Sequence, residues 1–147
     1  RVFRGIDEIH EVENRSELPS EFLRVEFKTD PKGVRTLKGR FFRPSAPPGE
    51  NLEQVQFEND QVRITHVTCA PGRALYLSAT DSEPLLLIAF QAASLRESGS
   101  DVTVGVGQER WIPARSGVTF ENVGSQSSEF LRFDFKTRPT TSSNRHP

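Results

Sequence analysis

The sequence predicts an all-β protein, a sandwich or barrel built from short antiparallel strands. Three observations predict it. Short runs alternate apolar and polar residues with the period of two that marks a half-buried strand. Turn signals rich in Gly, Pro and Asn separate these runs at close spacing, and no stretch carries the 3.6-residue apolar stripe of an amphipathic helix. The third observation is a repeat. Residues 121–139 read E-N-V-G-S-Q-S-S-E-F-L-R-F-D-F-K-T-R-P and residues 13–31 read E-N-R-S-E-L-P-S-E-F-L-R-V-E-F-K-T-D-P, a constant offset of 108 with 11 of 19 positions identical. Chance gives roughly one identity in such a window, so the two stretches are copies of one structural unit.

Taken in order, Val2, Phe3 and residues 9–12 are short apolar touches around Gly5 that suit strand ends at a turn. In the first copy, Leu23, Val25 and Phe27 share one face of a strand over 20–28, with Arg24, Glu26 and Lys28 on the other. Its twin over 128–136 puts Leu131, Phe133 and Phe135 inside and Arg132, Asp134 and Lys136 outside. Phe22 and Phe130 fall on the polar face in both copies, which leaves open a second buried surface. Residues 34–43 form a basic stretch with Leu37, Phe41 and Phe42, and 44–50 (P-S-A-P-P-G-E) reads as a linker. Two strands follow, 54–58 and 62–69, turning at Asn59-Asp60. In the second of these, Val62 and Ile64 lie on one parity and Val67 and Cys69 on the other, so a bulge near Thr65-His66 is expected to bring both pairs to the core. A strand over 75–77 is expected after Pro71-Gly72. The run 85–90 is apolar without alternation and therefore buried on both sides. Strands over 102–106, 109–112, 117–121 and 130–135 complete the series, and the polar tail 140–147 is expected to be disordered.

A chain of 147 residues with net charge -1 and 27% charged residues has room for one real core and no basic patch suited to phosphate, so nucleic acid is excluded as a partner. The apolar run 85–90 is far too short to cross a bilayer as a helix, and no membrane partner is expected. One cysteine, Cys69, permits no internal disulfide and leaves the compartment open. Eleven Phe against one Tyr and one Trp direct the aromatic content to packing.

The stretch 107–122 resembles the second motif of the cupin family: a Gly, five residues, Pro-x-Gly, two residues, His, three residues, Asn. Gly107, Pro113 and Asn122 match at full spacing, while Arg115 stands at the second Gly and Val118 at the metal-binding His. The first motif, a Gly, five residues, His-x-His, three or four residues, Glu, six residues, Gly, begins at Gly72. Ser78 and Thr80 then hold the two His positions, Pro84 or Leu85 the Glu position, and Gln91 or Ala92 the closing Gly. The resemblance covers about residues 53–137 and implies a double-stranded β-helix, or jelly-roll barrel. Carried to the first copy by the offset, it puts Gly5, Asp7, His10 and Asn14 at the Pro, Gly, His and Asn positions. The implied organisation is a two-cupin protein: a partial N-terminal repeat over 1–44 holding only the last strands of a barrel, a complete barrel over 45–139, and the tail 140–147.

A cupin metal site needs two or three imidazoles and usually a carboxylate converging on the barrel axis. The complete barrel offers Ser78, Thr80, Leu85 and Val118 there, pocket-lining positions with no competent ligand among them. Glu83 lies one residue off register. His10 is the residual ligand-type residue of the first repeat, although a single imidazole holds metal weakly. His66, His146 and Cys69 read as structural or solvated, and Arg110, Trp111 and Tyr76 as packing and rim residues. No catalytic constellation can be assembled. The expectation is a non-catalytic, metal-free barrel without cofactor, binding a small apolar or weakly polar ligand or acting as a scaffold. The alternative is a metal-dependent cupin enzyme of oxygenase or isomerase type, with its site in the first repeat. Leu23, Val25 and Phe27 need cover, and a two-fold homodimer is expected to supply it.

Overall fold

The computed structural model describes residues 45–136 in full, with 13–19, Val25 and the backbone of Val2–Phe3 and Leu37–Lys38 besides. The chain divides into two compact units, one comprising Arg1–Phe41 and Pro139–Pro147, the other Phe42–Arg138. In the first unit, β1 (Val2–Phe3) pairs antiparallel with β2 (Leu37–Lys38). The strand expected over 20–28 lies outside the described residues apart from Val25, which is half-buried. The expected tail 140–147 and His10 also lie outside them.

The second unit is a jelly roll of nine strands, and the described residues contain no helix. One sheet runs β3 (Leu52–Glu58), β4 (Val62–Cys69), β11 (Ser128–Phe135), β6 (Leu85–Ala89) and β9 (Glu109–Ile112). The other runs β5 (Ala74–Ser78), β10 (Gly117–Asn122), β7 (Ala93–Glu97) and β8 (Ser100–Val104). Every ladder is antiparallel. The hairpin between β7 and β8 turns at Ser98-Gly99, both at positive φ (51° and 83°), the combination that matches the twist of two-residue hairpins. Strand β7 was not expected. Its apolar content is only Ala93 and Leu95 alternating with Ser94 and Arg96, a pattern too sparse to stand out.

The two sheets close on a continuous apolar core in which Val67, Leu75, Leu77, Leu85, Leu87, Leu95, Ile112, Phe120 and Phe130 are all buried. Strand β6 is buried along its whole length, because Leu85, Leu87 and Ala89 enter this core while Leu86 and Ile88 are buried on the opposite face. Strand β11 also carries buried residues on both faces, and here one expectation is reversed. Phe130 lies in the barrel core, opposite Val67 and Ala89, so Arg132 and Asp134 share its parity. Leu131, Phe133 and Phe135 take the outer parity, with Leu131 and Phe133 buried there. The expected bulge in β4 is also absent. Its register with β11 is unbroken from Ser128↔Cys69 to Phe135↔Val62, and β4 carries buried residues on both parities without a bulge. The irregularity sits in β3, between Val55 and Phe57.

A turn recurs at the repeat offset. Asn122 Nδ2 donates to the Gln126 carbonyl (2.8 Å) and its Oδ1 accepts from the Gly124 amide (3.0 Å). Asn14, 108 residues earlier, makes the same two bonds, to the Leu18 carbonyl (2.8 Å) and from the Ser16 amide (3.0 Å).

Candidate functional site

The residues at the motif positions do not all share the barrel interior. Strand β5 alternates strictly, sending Leu75 and Leu77 into the core and leaving Tyr76 and Ser78 exposed. Its neighbour β10 places Val118 opposite Leu77 and Phe120 opposite Leu75, so Val118 packs against the core while Ser78, opposite Gly117, points away from it. Leu85 is 1% exposed within the core. Thr80 lies beyond the strand, its hydroxyl donating to the Glu83 carbonyl (3.2 Å) and accepting from the Glu83 amide (3.0 Å). The positions on β5 that share the interior parity of Val118 are Leu77 and, just past the strand, Ala79.

The backbone at the motif glycines is better preserved than the side chains. Gly72 and Gly107 sit at positive φ (68° and 74°), and so does Arg115 (φ 61°), the residue standing at a motif glycine. A non-glycine residue pays steric strain in this region. Arg115 is held there by its amide donating to the Thr80 carbonyl (2.9 Å) and its Nε donating to the Asp81 carbonyl (3.0 Å). Asn122, fully buried, also donates to the Cys69 carbonyl (2.8 Å) and so ties β10 to the end of β4.

No protein-family model and no curated protein matches the sequence. Among solved structures, the chain is similar to a cupin superfamily protein of Desulfitobacterium hafniense, with TM-score 0.52 and 14% identity over 64% of this chain and 84% of that one. The chain has the cupin fold. Two further cupin-fold similarities are to a cupin domain of an XRE family transcriptional regulator from Enterobacter cloacae (TM-score 0.50, 12% identity, 60% and 97% covered) and to a polyketide cyclase of Streptomyces resistomycificus (TM-score 0.50, 19% identity, 63% and 70% covered).

The cupin motifs imply a metal, and the residues here do not fit one. Leu85 and Val118 have no donor atom, and the hydroxyls of Ser78 and Thr80 are poor transition-metal ligands, Ser78 exposed away from the core and Thr80 bonded to the Glu83 backbone. Among the described residues, no group of three or more His, Cys, Asp or Glu side chains could hold a metal ion. His66 is buried on the outer parity of β4, with Nε2 3.0 Å from Glu129 Oε2 and its ring stacked on Phe90 at 5.4 Å. Cys69 is buried beside the Arg73 carbonyl, which accepts from Sγ at 3.3 Å, and burial pushes its thiol pKa up, away from nucleophile chemistry.

Two open clefts flank the filled core. One, of about 420 Å³, is lined by Val118, Ile112, Trp111 and Arg110, with the Arg110 guanidinium 2.6 Å from Glu97 and bridging β9 to β7. Tyr76 is not in its lining; it covers Gly117 from outside, where an added Cβ would meet its hydroxyl at 2.6 Å. The other cleft, of about 380 Å³, lies between β3, β4 and the end of β11. Across its floor the register aligns Val55, Thr65 and Arg132, one residue from each of three strands. Arg132, assigned to the outside from sequence, is only 18% exposed, its Nε donating to Asp134 Oδ1 (2.9 Å) and its Nη2 to the Ser78 carbonyl (3.2 Å) of the opposite sheet. At the rim, Glu58 accepts from Arg63 (2.9 Å) and Lys136 (2.6 Å), and these cations lower its pKa to about 2. The signal for Arg132 was present in the sequence: Phe130 shares its parity, and a Phe in both copies on a nominally polar face marks that face as interior.

Proposed function

We propose that this chain is a non-catalytic, metal-free cupin-fold barrel, acting as a small-molecule-binding or scaffold module. The observation that carries the reading is the sorting of the motif positions, with Leu85 and Val118 in or against a dense apolar core and Ser78 on the opposite face. A barrel axis filled by Leu75, Leu77, Leu85, Leu87 and Phe120 leaves metal chemistry no donors, and leaves binding to the open clefts at its margins. A shared fold does not carry the chemistry of the polyketide cyclase to this chain.

Installing ligands tests the reading. Leu77→His, Ala79→His and Val118→His together put three imidazoles on one interior face, whereas Ser78→His, Thr80→His and Val118→His split them between faces. Zinc titration followed by calorimetry is expected to find binding in the first variant only. Zinc binding by the second variant, or by the unaltered barrel, would overturn the register on which the reading rests. The homodimer expected from the repeat belongs to the same proposal. Light scattering of the full chain is expected to give twice 16.5 kDa, and a mass of 16.5 kDa at tens of micromolar removes it.

A further inference from the structure

We propose that the cleft between β3, β4 and the end of β11 binds a neutral polyhydroxy compound, a sugar or sugar alcohol. This goes beyond the reading above, and it stands or falls separately from metal content. The cleft is charged yet balanced: Glu53, Glu58 and Asp134 face Arg63, Arg132 and Lys136, three of each sign. Most of that charge is already matched, Asp134 by Arg132 and Glu58 by Arg63 and Lys136. An ionic ligand therefore meets groups that are already largely paired.

What remains open fits a hydroxyl. Arg132 Nη1 lies 3.8 Å from Glu53 Oε2, too far for a hydrogen bond, and has no other partner among the described residues. One hydroxyl seated between them accepts from the guanidinium through its oxygen and donates its proton to the carboxylate. A carboxylate ligand could satisfy Arg132 but offers Glu53 nothing, and an ammonium the reverse. Thr65, the cross-strand partner of Arg132, supplies a second position. It is 5% exposed, lines the cleft, and its hydroxyl has no hydrogen-bond partner among the described residues. Val55, 52% exposed and on the same parity as Thr65 and Arg132, adds an apolar surface for the C–H face of a ring. The volume of about 380 Å³ falls in the range of roughly 300–1,000 Å³ common to small-molecule sites.

The full chain, labelled with ¹⁵N, is titrated with glucose, mannose, galactose, inositol and sorbitol, and in parallel with acetate and glycine. At least one of the five polyols is expected to give saturable shifts at the Thr65 amide and the Arg132 Nε–H, with a Kd of about 1–10 mM. Thr65→Val, which keeps the buried shape, and Glu53→Ala, at a half-exposed position that leaves folding intact, are each expected to weaken that binding about tenfold. Absence of any saturable polyol shift at about 50 mM, polyol binding indifferent to both substitutions, or tighter binding of acetate or glycine at these residues would each overturn the proposal.

Discussion

Arg115 shows how far a backbone can outlast the residue that suits it. Its φ of 61° belongs to the glycine of a cupin motif, and two carbonyls of the loop after β5 hold it in place. Nothing in the side chain foretells that conformation; only the spacing from Gly107 and Pro113 does. Glu58 makes the opposite case, a residue whose behaviour follows from partners 5 and 78 positions away that sequence does not join. With Arg63 and Lys136 on its carboxylate, its pKa falls to about 2, below the ordinary carboxylate range. A depressed folded-state pKa contributes stability that is present above the unfolded value and lost as pH falls through the folded one. Carbon-detected NMR titration is expected to place the Glu58 midpoint near 2, and Lys136→Ala to raise it. A midpoint in the normal carboxylate range would remove the three-residue cluster from the account. Because Glu58 is solvent-exposed, salt should weaken the effect.

At the scale of elements, strand identity was legible and facing was not. Alternation with turn punctuation marked seven of the nine barrel strands, and the unbroken apolar run 85–90 announced an eighth, covered on both sides. Alternation alone cannot say which parity faces the barrel when both faces of a sheet are buried, and β11 is such a strand. Its apolar triplet Leu131, Phe133 and Phe135 outnumbers Phe130, so counting chose the wrong face, and the same reasoning invented a bulge in β4. The cleft residues Arg132 and Asp134 were lost with that inversion. Likewise, the motif count from Gly72 reached Ser78 and Thr80, whereas the pleat of β5 turns Leu77 inward. Phe130→Ala measures the difference. Removing a buried Phe from the barrel core is expected to cost about 3–5 kcal/mol in urea unfolding. A change within about 0.5 kcal/mol, as for an exposed side chain, would return Phe130 to the surface.

For the whole molecule, sequence spacing reached the fold because a jelly roll is specified by the order and length of its strands and turns, features that survive when the side chains at a site change. It reached function only by subtraction. The positions at which cupin motifs carry ligands hold Ser78, Thr80, Leu85 and Val118, and the space they would frame is filled by Leu75, Leu77, Leu87 and Phe120. Those packed side chains contribute the burial of an ordinary core, about 1.5–3 kcal/mol for each large apolar one, and the proposed metal-free reading rests on that packing. The most direct test is elemental analysis of the full chain purified without chelator from medium supplemented with zinc, iron, manganese and nickel. The account predicts only substoichiometric metal, unchanged by His10→Ala. One ion per chain would contradict it, and retention of that ion in His10→Ala would locate the contradiction in the barrel itself.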